Sequence, residues 1–149
     1  MSETYNVYRN NEKVAEGLTA KSYNDSGLTP ATEYKYKVEA ISGDKAVMSD
    51  EITVTTLPIA VTGVTLDKAT AEVAVGGTVK LTPTVTPSNA TDKSGSWASS
   101  ATAVATVSGG TVTVKPDAAV GDTTDVTFTT KDGSKKATCK ITVIAAEEG

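Results

Sequence analysis

The sequence predicts an all-β chain built as two small β-sandwich modules in tandem, and three observations predict it. Apolar residues alternate with polar ones wherever a pattern is legible: Val73 and Val75, Val79 and Leu81, Val112 and Val114, Val126 and Phe128, then Cys139, Ile141 and Val143. That is the period of strands with one buried face. Turn signals recur about every eight to twelve residues, at Asn10-Asn11, Ser26-Gly27, Ser42-Gly43-Asp44, Gly76-Gly77, Pro87-Ser88-Asn89, Gly109-Gly110, Gly121-Asp122 and Asp132-Gly133, the spacing of a sandwich or barrel. Threonine, 26 of 149 residues, joins valine in supplying the β-branched side chains that suit a pleated, half-exposed sheet. The two segments with helix formers, 67–74 and 115–120, are short, lack an apolar stripe and lie near Gly or Pro, so each is expected to give a turn at most.

The boundary between the modules falls at Thr55-Thr56-Leu57-Pro58, where one run of strand character ends and Pro58 cannot donate to a ladder. The expected division is a first module at 1–57, a second at 58–144 and a solvated tail at 145–149. The first carries 6 basic and 9 acidic side chains and the remainder 8 and 9, which together give the net charge of −4. All five tyrosines lie in the first part, while Trp97 and Phe128 lie in the second. Two differently built cores are implied, the second small, aliphatic and β-branched.

Composition excludes several function classes. Without histidine there is no Ser-His-Asp or Cys-His couple, and no side chain that titrates near neutral pH to move a proton. One cysteine and no histidine cannot build a zinc site, and a lone Cys139 forms no intrachain disulfide, so it reads as a small core residue. The expectation is a non-enzymatic chain with no cofactor. An acidic pI near 4.8 with lysines spread singly gives no footprint for a phosphate backbone, which argues against nucleic acid. No apolar stretch approaches the roughly 20 residues that span a bilayer, and Met1-Ser2-Glu3-Thr4 opens no secretion signal. Neither membrane insertion nor export by a leader is expected.

The most specific stretch of the first module is Leu28-Thr29-Pro30-Ala31-Thr32-Glu33-Tyr34-Lys35-Tyr36-Lys37-Val38-Glu39-Ala40. It resembles the tyrosine corner and F strand of fibronectin type III domains, with Tyr34 as the corner residue bonding back toward Leu28. The resemblance implies Tyr36, Val38 and Ala40 on the inward face and Lys35, Lys37 and Glu39 in solvent. Tyr5-Asn6-Val7-Tyr8-Arg9 looks like that family's strand C, Lys13-Val14-Ala15 like C′, Ser22-Tyr23-Asn24-Asp25 like E and Glu51-Ile52-Thr53-Val54 like G. The family's strands A and B have no sequence to occupy, so the module is incomplete against the seven strands of about 100 residues such a sandwich uses. A bare inner face would expose Val7, Tyr36 and Val38, each forgoing roughly 1.5–3 kcal/mol of burial. Preceding residues of a longer chain, another chain or the second module is expected to cover it.

From 61 to 143 the sequence resembles a bacterial immunoglobulin-like domain of group 2. The resemblance rests on ordered fragments: Val64-Thr65-Leu66, Val73-Ala74-Val75-Gly76, Val79-Lys80-Leu81-Thr82, Val85-Thr86-Pro87, Trp97-Ala98-Ser99-Ser100, Val104-Ala105-Thr106-Val107, Gly110-Thr111-Val112-Thr113-Val114 and Ala137-Thr138-Cys139-Lys140-Ile141-Thr142-Val143. It implies a second immunoglobulin-like sandwich without a disulfide or active site, and Trp97 in its core.

Candidate contact residues are few. Tyr8 and Tyr23 are chosen as outward rings able to stack on sugars or a protein neighbour, because five tyrosines on alternating strands cannot all be buried. Asp92 and Lys93 sit in the polar loop 87–96, at a sandwich end where loops carry binding. Asp117, Asp122 and Asp125 cluster around Gly121, but their spacing does not match an EF-hand calcium loop and exposed turn carboxylates are the commoner reading. Asn24-Asp25-Ser26 and Asn89-Ala90-Thr91 match the N-glycosylation pattern, which arises easily by chance.

The paired resemblance implies a structural or decoration module on a bacteriophage virion, on tail or capsid, assembled in the bacterial cytoplasm. Its expected partners are virion proteins or other copies of itself, with weak multivalent adhesion to host-surface carbohydrate. The alternatives are a spacer or adhesion segment of a bacterial cell-surface protein and an accessory module of a carbohydrate-active enzyme. Fold analogy alone does not choose among them.

Overall fold

The structure, a computed structural model, describes residues 2–148. Among them every regular element is a strand, as the alternation and turn spacing predict, and segments 67–74 and 115–120 hold no helix. The chain divides into two compact units, Met1–Pro58 and Ile59–Gly149.

The first unit is one antiparallel sheet. Strands β1 (Thr4–Arg9) and β2 (Glu12–Leu18) form a hairpin through Asn10 and Asn11, whose positive φ values of 51° and 68° suit this tight turn. Strand β3 (Glu33–Ser42) pairs with β1 on one side. On its other side it pairs first with β5 (Ile52–Thr55) and then with β4 (Lys45–Met48). The two short strands share one edge because Ser49 interrupts them, donating its amide to Val38 O at 2.8 Å and accepting from Val38 N through Oγ at 2.9 Å.

Two expectations for this unit are corrected. Ser22-Tyr23-Asn24-Asp25 is not a strand: residues 21–26 pair with nothing in a ladder. The segment is held instead through the Asp25 carboxylate, which pairs with Arg9 Nη1 at 2.9 Å and accepts from the Tyr36 hydroxyl at 2.7 Å. The solvent face expected of Lys35, Lys37 and Glu39 holds in full for Lys35 only: Lys37 and Glu39 are half-buried, and Glu39 accepts from Asn6 Nδ2 and the Tyr8 hydroxyl. Val38 lies directly opposite Val7, yet it is 37% exposed because no second sheet faces it.

The second unit is a closed sandwich. One sheet runs in the order β10 (Gly95–Ser99), β13 (Thr123–Thr130), β14 (Lys136–Ile144), β7 (Thr70–Ala74), with β7 parallel to β14 and the rest antiparallel. The other runs β11 (Ala105–Ser108), β12 (Thr111–Val114), β8 (Thr78–Lys80). A ribbon of β6 (Gly63–Leu66) and β9 (Pro83–Thr86) completes it. Alternate residues Val126 of β13 and Cys139, Ile141 and Val143 of β14 meet Val112 and Val114 of β12, all at most 1% exposed. A smaller cluster of Val61, Val85, Ala90 and Phe128 lies under the ribbon. Two hydroxyls are deeply placed here: Thr124 accepts from Ala101 N at 2.9 Å and lies 2.9 Å from Ser99 Oγ, and Thr130 donates to Asp132 O at 2.6 Å and accepts from Lys135 N at 2.8 Å, so both are buried without an unmet bond.

Two glycines are required by close approach. A Cβ on Gly95 would collide with Thr129 O and lie 2.5 Å from Phe128 Cζ. Gly110 has φ +85°, and a Cβ there would stand 2.6 Å from Leu81 O, the backbone beside which the strand must pass.

Candidate functional site

In the first unit the candidate residues lie on two faces of one sheet. Residues 5, 7 and 9 of β1 share a face with Tyr34, Tyr36, Val38 and Ala40 of β3, as register pairs Tyr5 with Ala40, Val7 with Val38 and Arg9 with Tyr36. At one end the Tyr34 hydroxyl accepts from Thr29 N at 2.9 Å, next to the half-buried Leu28. That bond holds the Tyr34 phenol below its ordinary range. The Arg9 guanidinium lies 5.7 Å from the Tyr34 ring centroid. Its other partner is Asp25, held below the usual carboxylate range first by the Tyr36 hydroxyl and then by Arg9. Burial, and then the Asp25 carboxylate, push Tyr36 the opposite way.

At the other end of this face a hollow of about 270 Å³ opens, with Tyr5, Val7, Leu18, Tyr23 and Val38 in its walls and Lys21 at its side. Tyr23 is 38% exposed, its hydroxyl 3.5 Å from Val14 O. Tyr8 is placed differently. It is half-buried on the opposite face, where its hydroxyl donates to Glu39 at 3.0 Å beside Asn6. The Asn6 amide and then the Tyr8 hydroxyl hold the Glu39 carboxyl below its ordinary value. Tyr8 and Tyr23 therefore do not form one surface.

In the second unit, Asp92 and Lys93 are engaged with their own loop. Asp92 Oδ1 accepts from both the amide and the hydroxyl of Ser94, which lowers its pKa, and Lys93 Nζ donates to Ser88 O at 3.1 Å. Trp97 stacks obliquely on Phe128 with ring centroids 5.0 Å apart, and it packs against both core clusters. Cys139 is fully buried, and burial pushes its thiol up, away from the thiolate form a nucleophile needs. Asp122 Oδ2 accepts from Ala119 N within its own turn. Among the described residues, no three of the His, Cys, Asp and Glu side chains come together as a metal would require.

Sequence reasoning missed Arg9, Asp25 and Glu39. In the sequence Asp25 stands out only within the strand-like run Ser22-Tyr23-Asn24-Asp25 and a glycosylation pattern, and its partners lie 16 and 11 residues away along the chain. The available signal was the placement of Arg9 and Tyr36 on the same predicted face, where a cation and a phenol invite a carboxylate.

Comparison with known proteins places the second unit in a known family. The profile of the bacterial Ig-like domain (group 2) matches residues 60–141. An Ig-like virion protein of Serratia phage KSP90 is 41% identical over 107 residues, 71% of this chain and 41% of that protein. Gingipain R1 of Porphyromonas gingivalis is 35% identical over 82 residues, 54% of this chain and 5% of that protein. Among solved structures, domains 1–6 of the surface layer protein SbsC superpose with a TM-score of 0.49 and 22% identity, covering 97% of this chain and 20% of that one. The chain thus spans well under half the length of the curated relatives it matches.

Proposed function

The chain belongs to the bacterial Ig-like domain (group 2) family, and from that premise we propose that it is a non-catalytic structural module displayed on the surface of a bacteriophage virion. The observation that carries this reading is the 41% identity to the phage virion protein, which extends over 107 residues. The side-chain inventory supports it: the chain has no imidazole, and its one thiol is buried with a raised pKa. A sandwich of this kind holds its two ends at a fixed distance because a packed interior resists deformation.

The finer part of the proposal is weak adhesion to host-surface carbohydrate by avidity. Tyr8, with the Glu39 carboxylate beside it, offers a ring and a hydrogen-bonding group of the kind a sugar uses. Single contacts in the millimolar range become retention when one particle carries many copies. Immunogold labelling of density-banded phage particles with antibody to this chain tests the structural half. Label on tail or capsid is expected, and its absence from banded particles overturns the reading. Bead-arrayed chain binding to host lipopolysaccharide, lost in Tyr8→Ala, tests the adhesive half.

A second reading is an accessory or spacer segment of a larger bacterial surface protein. It is favoured by the 37% identity to Protease PrtH of Porphyromonas gingivalis over 79 residues, 8% of that protein. Recovery of the chain from bacterial envelopes rather than particles would select it.

A further inference from the structure

The second unit gathers positive charge at one corner of an acidic chain. Residues 92–96 and 129–136 together hold four lysines, Lys93, Lys131, Lys135 and Lys136, against two carboxylates, Asp92 and Asp132, whereas the whole chain carries −4. Sheet pairing makes these two stretches neighbours: Ser96 lies opposite Thr129, Thr129 opposite Lys136, and Lys131 N donates to Ser94 O at 2.9 Å. Each carboxylate accepts from a backbone amide, Asp92 from Ser94 N and Asp132 from Val61 N, both at 2.9 Å. Among the described residues, no carboxylate forms an ion pair with Lys131, Lys135 or Lys136.

The corner is also hollow and hydroxyl-lined. A recess of about 250 Å³ opens between Ser94, Gly95 and Ser96 on one side and Thr129, Thr130 and Lys131 on the other. Phe128 and Thr130 are buried, so alternation turns Thr129 outward. Cys139 and Ile141 are buried, so the same parity turns Lys136 outward beside it. Directly opposed side chains on one sheet face stand about 5 Å apart, which sets Lys136 next to the recess that Lys131 lines.

This chemistry selects a ligand. None of the lining residues is aromatic, so a neutral sugar ring finds no surface to stack on. The volume lies below the roughly 300 Å³ at which pockets for drug-sized molecules begin, and it suits one saccharide unit. Two ammonium groups at its rim call for a compact anion, and the hydroxyls of Ser96 and Thr129 match those of a sugar. We propose that this recess is a binding site for a phosphorylated sugar, with the phosphate between Lys131 and Lys136 and the ring hydroxyls on Ser96 and Thr129. Exposed charges are screened, so a single site binds weakly, at about millimolar strength. The inference concerns the second unit and goes beyond the adhesion proposed at Tyr8, so each stands or falls without the other.

Nuclear magnetic resonance titration of the 15N-labelled full chain with glucose 1-phosphate, up to about 50 mM at constant ionic strength, tests it. Glucose and inorganic phosphate are the comparison probes. Saturable shifts are expected at the amides of residues 94–96, 129–131 and 136, and binding several-fold tighter than with either comparison probe. Lys131→Gln and Lys136→Gln should each weaken binding about threefold, the scale of one exposed charge, with the rest of the spectrum unchanged. Lys140→Gln, on the same face but opposite Asp125, should leave binding as it was. Absence of saturable shifts at these amides overturns the proposal. Equal binding of inorganic phosphate overturns it too, because the corner then attracts any anion, and so does an equal loss in Lys140→Gln, because the attraction then belongs to the whole face.

Discussion

The two units draw on the same β-branched vocabulary and arrive at different interiors. In the second unit two sheets face each other, and Leu81, Val112, Val114, Val126, Ile141 and Cys139 are removed from water entirely. In the first, among the described residues, Val7 is the one hydrophobic side chain that reaches burial, at 7% exposure. Alternation places the apolar side chains of both on one face. Burial then depends on a second layer, which a single sheet cannot supply for itself. The first unit is held instead by polar fastenings on that face: Asp25 with Arg9 and Tyr36, and Tyr34 with Thr29. Such fastenings depend on ionisation, whereas a packed core does not.

The contrast can be broken most severely in the second unit. Ile141→Ala should lower its stability by about 2–5 kcal/mol, the transfer loss plus the cavity left behind. Val47→Ala in the first unit should change stability by no more than about 0.5 kcal/mol in dilute solution. The residue distribution gives each unit its own probe: Trp97 fluorescence follows the second, and near-ultraviolet circular dichroism of the tyrosines, all in the first, follows the other. Equal losses at the two positions would sink the comparison.

A somewhat smaller effect is expected from Gly95→Ala, about 1–3 kcal/mol of overpacking, because the added methyl meets Thr129 O and the Phe128 ring. Urea titration followed by Trp97 reads it directly. Asp25→Asn should destabilise the first unit by about 1.5–3 kcal/mol, the range for hydrogen bonds to a charged group, and leave the Trp97 transition in place.

The pH dependence sharpens the same point. Asp25 and Glu39 have depressed pKa values in the folded unit, so the unfolded chain binds their protons first as the solution is acidified. Their contribution is complete above the unfolded carboxylate range near 4 and is lost as pH falls through the lower folded values. Asp67 and Asp92 of the second unit are depressed as well, so thermal melts at pH 6 and pH 3 should show both signals falling, and Asp25→Asn should reduce the fall of the tyrosine signal alone. The smallest effect is expected from Tyr34→Phe, which removes the acceptor for Thr29 N at the corner. Its melt should move down by less than that of Asp25→Asn.

Much of this architecture is legible locally. Cys139, Ile141 and Val143 announce β14 and its inner face, and Asn10-Asn11 announces the first hairpin. The Tyr34 corner is visible as a pattern because its partner, Thr29, lies five residues away. Residues 22–25 look like a strand in sequence because a polar-aromatic alternation is the same whether a ladder or a single carboxylate holds it. The role of Glu39 is hidden in the sequence because alternation says which side a residue takes, and not that a Tyr and an Asn wait there.

By itself the sequence determined the strand class, the turns, the face each residue takes and the chemistry that is absent, because period, turn propensity and side-chain inventory are properties of neighbours along the chain. Only the tertiary structure decided that Thr70–Ala74 lies parallel to Lys136–Ile144, that β4 and β5 share one edge of β3, and that one apolar face is closed while the other stands open. Backbone hydrogen bonds are alike in every strand, so the partner is chosen by which long-range arrangement buries apolar surface, and that is a property of the folded whole.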